Sequence, residues 1–260
     1  MLQRITACAV LAGMSLLLAG CIQSKTVVTV EKDGSGTIEQ TAYWAKMQME
    51  GMPGGLKAGG NLDEQCAKTA KALGEGVTVK SAAPLTDRKD WEGAKVVYAF
   101  NDISKVRINT VPPVGNLKAE SKDISFEFAK APTPKLTVTM PPMESPVPDQ
   151  PKEAAQGPEA DKMAEAMMSM MLKDLLIDFQ VKVNGVITQT NAAYPNAQKN
   201  GLTLVHEDFG GLMGDEAGAK KFKLLKDAKD PKAMKAALAD KDIAKFIQMD
   251  PSEKVTIEFK

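Results

Sequence analysis

The chain has 260 residues and carries 33 Lys and Arg residues against 33 Asp and Glu residues, so its formal net charge at pH 7 is zero. A protein that binds nucleic acid usually has a basic excess or a basic stripe, and this composition therefore argues against a nucleic-acid partner. The length is sufficient for one or two domains with a hydrophobic core.

The N-terminus has the order of charge and hydropathy that is typical of a secretory signal. Arg4 precedes an apolar run from Ile5 to Ala19, and this run is shorter than the ~20 residues that a transmembrane helix needs. The run ends in Leu18-Ala19-Gly20-Cys21, which resembles the bacterial lipobox.

The lipobox resemblance implies that residues 1–20 are a signal peptide, that Leu18, Ala19 and Gly20 are recognised by the peptidase, and that Cys21 carries a diacylglycerol. The alternative is an ordinary secretory signal that contains a cysteine. More than one acyl chain gives stable anchoring. The protein is therefore predicted to have a membrane of the bacterial cell envelope as its partner, to which the lipid on Cys21 holds it. An Asp after the cysteine commonly favours the inner membrane, and Ile22 in that place weakly favours the outer membrane of a Gram-negative cell. Residues 21–24 are then the lipidated N-terminus and a short tether.

The remaining cysteine, Cys66, has no partner for an intramolecular disulfide, because Cys8 lies in the predicted signal peptide. A helix predicted from Asn61 to Leu73 places Cys66 on the same face as apolar residues, and Gly74 ends that helix. We expect a buried thiol, and the alternative is a disulfide with another molecule.

The first half of the chain has the pattern of an antiparallel sheet. Residues Lys25–Trp44 predict a β-hairpin with its turn at Asp33-Gly34-Ser35-Gly36. Four further stretches have strand character, at Val77–Ser81, Ala94–Phe100, Ile124–Ala129 and Lys135–Met140, and the last two alternate cleanly between apolar and polar residues.

The second half mixes helices and strands. A proline-rich loop is predicted at 141–158 and a methionine-rich helix at Glu159–Leu176. Residues Ile177–Thr190 predict a second hairpin, since Asn184-Gly185 suits a type I′ turn. The remaining predicted elements are a strand at Leu202–His206, two helices within 215–247 separated at Asp230-Pro231, and a strand at Val255–Phe259.

Together these elements predict an α+β fold with one antiparallel sheet of about eight or nine strands, helices packed on one face, and a helical C-terminal segment. We expect an envelope domain at 25–210 and a helical tail at 211–260 that ends in a strand.

The lipobox, the Asp33–Gly36 turn soon after it and the Ile177–Thr190 hairpin together resemble the LppM-like group of bacterial lipoproteins, over about residues 25–207. The resemblance implies a non-enzymatic envelope protein, with lipid or glycolipid binding as one role. The chain departs from the group where Asn184-Gly185 replaces a Pro-Gly at the late hairpin, and no binding residue can be carried over.

No motif in the chain indicates catalysis or a cofactor. His206 is the only histidine, and its carboxylate neighbours Glu207 and Asp208 are merely adjacent in sequence, so we expect a structural role for it. The glycine clusters do not match a nucleotide-binding loop. The sequence therefore predicts a protein that is not an enzyme and needs no cofactor.

Methionine is the one compositional oddity, with 15 residues. A first cluster offers thioether ligands that suit Cu(I), but no His or Cys lies nearby, so we predict no metal site and keep copper as the least favoured alternative. It consists of Met47, Met49 and Met52. A second set predicts either a helix packed into the core or a groove for an apolar ligand or a partner helix. It consists of Met163, Met167, Met168, Met171 and Phe179.

The expected function is a membrane-anchored lipoprotein that binds an envelope partner or an apolar ligand. The alternative is a structural or assembly role with no small-molecule site.

Overall fold

A computed structural model describes residues 22–45, 62–109, 123–141, 172–228 and 231–260. The strands in these segments are β1 (Ile22–Val30), β2 (Gly36–Ala45), β3 (Thr78–Leu85), β4 (Trp91–Phe100), β5 (Arg107–Asn109), β6 (Asp123–Ala129), β7 (Lys135–Thr139), β8 (Leu176–Val183), β9 (Ile187–Thr190), β10 (Gly201–Asp208), β11 (Ile247–Met249) and β12 (Lys254–Phe259). The α-helices are α1 (Leu62–Leu73), α2 (Phe209–Gly214), α3 (Glu216–Asp227) and α4 (Pro231–Leu238). None of these described helices is long and apolar enough to cross a membrane.

The strands form two sheets, and the α+β class is confirmed. One sheet has seven strands in the order β11-β10-β8-β1-β2-β4-β3, and the other has five in the order β5-β6-β7-β12-β9. The prediction of one antiparallel sheet of eight or nine strands is therefore wrong. The larger sheet is also mixed, because β1 and β8 pair in parallel. Alternation along a strand indicates which face is buried, but it carries no information about the partner or its direction.

The first hairpin is confirmed. Strands β1 and β2 pair from Ile22↔Trp44 to Val30↔Gly36. In the turn, Asp33 Oδ1 accepts hydrogen bonds from the backbone N–H and the hydroxyl of Ser35, at 2.9 and 2.7 Å. Gly34 has a φ of +90°, a conformation that a side chain would strain.

The prediction of a second hairpin at Ile177–Thr190 is wrong, although Asn184-Gly185 is a strong turn signal. Strand β8 lies in the seven-stranded sheet and β9 in the five-stranded sheet, so the two do not pair. The Asn184 N–H donates to the Val30 carbonyl at 2.9 Å, and the Val186 N–H donates to the Lys260 carbonyl at 3.0 Å. A Cβ on Gly185 would lie 2.4 Å from the Lys260 carbonyl oxygen, so the crossing between sheets needs a residue without a side chain.

The two sheets enclose one hydrophobic core. Alternate residues of β6, β7 and β12 pack against alternate residues of β1, β4 and β8. Helix α1 closes this core with Cys66, Ala70 and Leu73, and it ends at Gly74, whose φ is +143°. The burial of Cys66 is confirmed.

Helices α2–α4 enclose a second, smaller cluster of buried side chains with Leu172 and Leu175. Asp208 caps α2 and Asp215 caps α3, each by accepting a hydrogen bond from a backbone N–H three residues on. Helix α4 begins at Pro231, as predicted. The predicted helix up to Ile247 is wrong, because α4 ends at Leu238 and Ile247 begins β11.

The predicted tail at 211–260 supplies β11 to the larger sheet and β12 to the smaller one. Residues 22–24, the predicted tether, are the first residues of β1. Of the predicted proline-rich loop, only Pro141 is among the described residues.

Candidate functional site

The residues predicted to direct lipidation, Leu18, Ala19, Gly20 and Cys21, lie outside the described residues. Strand β1 begins at the next residue, Ile22, and occupies a central position between β2 and β8. The end of the seven-stranded sheet at which β1 starts is called here the Ile22 end. It comprises the termini of neighbouring strands at Ile22, Ala45, Trp91, Leu176 and Asp208.

A shallow hollow of about 620 Å³ lies at the Ile22 end. Its walls mix charged, polar and apolar side chains, among them Gln23, Lys173, Asp174, Leu176 and Met213. Asp208 also lines it, but one carboxylate oxygen already accepts the Gly211 N–H at 2.7 Å. The mixed walls suit contacts with a polar surface better than enclosure of an apolar ligand.

A side-chain network ties the loop between β3 and β4 to the Ile22 end. The Arg88 guanidinium lies 4.0 Å above the ring of Tyr43 and donates to Gln23 Oε1 at 2.6 Å. The Tyr43 hydroxyl donates to both Asp87 carboxylate oxygens at 3.2 Å. Burial and, second, the Asp87 carboxylate raise the pKa of Tyr43. The network therefore holds the first strand and this loop in one arrangement.

The two tryptophans of the chain, Trp44 and Trp91, also lie at the Ile22 end. Both are partly exposed, and the two hydrophobic clusters that the described residues form include neither of them. Trp44 Nε1 has a long contact of 3.4 Å with Glu92 Oε2. Strand pairing thus places these large side chains at the surface. Packing in the two hydrophobic clusters does not account for tryptophan at these two positions.

Glu207 is a buried carboxyl that the sequence indicated only as a chain neighbour of His206. It lies on β10 with Ile177 and Ile247 as register partners, and only 9% of it is exposed. Burial raises the pKa of Glu207 to about 7. No signal in the sequence marks it, since its apolar surroundings come from two other strands.

His206 is partly exposed, and its register partners are Asp178 and Gln248. Because successive strand residues point to opposite faces, His206 and Glu207 do not face each other. Among the described residues, no group of three or more His, Cys, Asp and Glu side chains could hold a metal ion.

The predicted methionine sites cannot be placed. Both clusters lie outside the described residues: Met47, Met49 and Met52, and Met163, Met167, Met168 and Met171. Phe179, predicted to line a groove with the second cluster, is 6% exposed and belongs to the main core.

Comparison with known proteins gives no relative: no family model, no curated protein and no solved structure matches this chain.

Proposed function

We propose that this chain is a lipid-anchored lipoprotein of the bacterial envelope that acts by binding, not by catalysis, and that the Ile22 end meets its partner. The observation that carries the proposal is the position of Ile22. It directly follows the lipobox cysteine and is already part of a central strand. A lipid on Cys21 would therefore hold the start of this strand, and with it the Ile22 end of the sheet, close to the membrane.

The use of the charged side chains at this end supports binding over catalysis. Asp208 caps α2, and Asp87 and Arg88 hold Tyr43 and Gln23 in place. Groups engaged in this way shape a surface and leave little freedom for proton transfer.

A protein or surface partner is favoured over an apolar ligand in a cavity. Phe179, which would line such a cavity, is packed in the main core. The hollow at the Ile22 end has a mixed lining. A structural or assembly role without a small-molecule site remains the alternative, and copper binding at Met47, Met49 and Met52 remains the least favoured one.

Labelling with radioactive palmitate tests the anchor. We expect the wild-type chain to incorporate label and the Cys21→Ser variant to incorporate none. Incorporation into the variant at the wild-type level would refute the assignment.

A photoreactive amino acid tests the partner surface. Placed at Met213 in the hollow, it should give a protein adduct of defined mass in intact cells. The control position is Val186, which is 48% exposed and lies where the chain leaves β8 at its other end. Equal adducts from both positions would contradict a specific surface. A bound apolar molecule recovered in stoichiometric amount by mass spectrometry would favour the ligand alternative.

A further inference from the structure

The Ile22 end brings three aromatic side chains close to the residue that would carry the lipid. Trp44 is the register partner of Ile22, and Trp91 is the partner of Ala45. Antiparallel partners lie about 5 Å apart and consecutive Cα atoms about 3.8 Å apart. Cys21 is bonded to Ile22, so a lipid on it would be attached one residue from the register partner of Trp44.

The aromatic side chains project from both faces of the sheet. Tyr43 and Trp44 are consecutive in β2 and so point to opposite sides. Trp91 lies on the Tyr43 side, because it is opposite Ala45 and two residues before Gly93, the partner of Tyr43. An aromatic rim on both faces suits a sheet that meets a surface with its end and not with one flat face.

The chemistry of these side chains fits one surface in particular. Tryptophan and tyrosine concentrate at the boundary between water and hydrocarbon, where an apolar ring and a polar N–H or O–H are both accommodated. The hydrophobic clusters of the described residues include neither Trp44 nor Trp91, and the Trp44 indole N–H contacts Glu92 Oε2 at 3.4 Å. The Arg88 guanidinium beside Tyr43 adds a cation at the same level.

We propose that the part of the Ile22 end formed by β1, β2 and β4 is a membrane-contacting rim, in which Trp44 and Trp91 enter the headgroup layer of the bilayer that holds Cys21, and that the hollow at β8, β10 and α2 beside it stays available to the partner. The inference rests on the proposed lipid anchor. That layer is about 5–7 Å deep on each side of the hydrocarbon. Since β1 starts directly after Cys21, no linker separates the rim from it, and the strands of the seven-stranded sheet stand end-on to the membrane.

Intrinsic fluorescence tests the rim directly, because the chain has no other tryptophans. The purified, lipidated protein is reconstituted into phosphatidylcholine vesicles whose acyl chains carry bromine near the headgroup, and into matched vesicles without bromine. Bromine quenches tryptophan only at short range. We expect a loss of emission in the brominated vesicles, and we expect it to persist in each of the single variants Trp44→Phe and Trp91→Phe.

The matched control moves the reporter to the other end of the sheet. In a Trp44→Phe and Trp91→Phe background, Val186→Trp places a tryptophan on an exposed position, and circular dichroism checks the fold. We expect no quenching from it. Quenching of this reporter to the same extent as the native tryptophans would overturn the rim.

Palmitate labelling of the same preparation separates the rim from the anchor. A labelled protein whose native tryptophans are not quenched overturns the rim and leaves the anchor standing, and it assigns Trp44 and Trp91 to a protein partner. An unlabelled protein whose tryptophans are quenched refutes the anchor and retains a membrane-binding rim. A protein that incorporates no palmitate and shows no tryptophan quenching refutes both the anchor and the rim.

Discussion

Replacing Glu207 by glutamine should make the protein more stable at neutral and alkaline pH. The pKa of Glu207 rises from an ordinary value of 4.5 to about 7 because the carboxyl is buried between Ile177 and Ile247. Each pKa unit corresponds to about 1.4 kcal/mol, so ionisation of Glu207 costs about 3 kcal/mol more in the folded protein than in the unfolded chain.

The direction of the pH dependence follows from proton binding. Between about pH 4.5 and pH 7 the folded protein holds the Glu207 proton more tightly than the unfolded chain, so the free energy of unfolding decreases as the pH rises through this window. Glutamine stays neutral throughout. The difference between Glu207→Gln and wild type should therefore be small below about pH 4.5 and approach ~3 kcal/mol in favour of the variant at about pH 8.

Urea unfolding followed by far-ultraviolet circular dichroism, at several pH values across this window, measures the difference. The control is Glu253→Gln, the same substitution at an exposed carboxyl. It should retain the wild-type dependence on pH. If the difference between Glu207→Gln and wild type were the same at every pH, Glu207 would not be the buried carboxyl that the structure describes.

Three further substitutions or probes test the fold. Gly185→Ala should destabilise the protein by more than about 2 kcal/mol in urea unfolding, because its Cβ would lie 2.4 Å from the Lys260 carbonyl oxygen. The Cys66 thiol is fully buried and burial raises its pKa, so a disulfide reagent should react with it at pH 8 only after unfolding. Asp215→Ala should cost about 1 kcal/mol, because it removes the cap that accepts the Gly218 N–H at 2.8 Å.

Each of these has its own contradicting result. Gly214→Ala is the control for the crossing between sheets, because an added Cβ there meets nothing within 4 Å, and a loss equal to that of Gly185→Ala would remove the steric argument. Rapid reaction of Cys66 in the folded protein would contradict its burial. Asp215→Ser should recover most of the cap, so an equal loss in both variants would assign the effect to something other than the hydrogen bond.

Local signals succeeded where the contacts that decide the structure are close in sequence. The β1–β2 hairpin depends on a five-residue stretch around Gly34, and the end of α1 depends on Gly74. Both could be predicted. The first hairpin also places Tyr43 and Trp44, two of the three aromatic side chains of the proposed rim, opposite the start of β1, so their position follows from sequence.

Local sequence signals gave wrong or incomplete predictions where the partner strand is distant in sequence. Asn184-Gly185 reads as a hairpin, but hydrogen bonds to Val30 and Lys260, far away in both directions, draw the two flanking strands into different sheets. Trp91 joins the rim only because β4 pairs with β2. Glu207 is buried by residues of β8 and β11, and the residues next to it in sequence do not predict this burial.

The position of the first and last strands has a consequence for how the chain folds. Strand β1 is interior to the seven-stranded sheet, where β8, about 150 residues later, is one of its neighbours, and β12 is interior to the five-stranded sheet. Neither sheet can be completed as the chain emerges with its N-terminus first, because each waits for segments made late. We expect slow folding in which both sheets are completed only after the last strand has been synthesised, because contacts between distant segments form last.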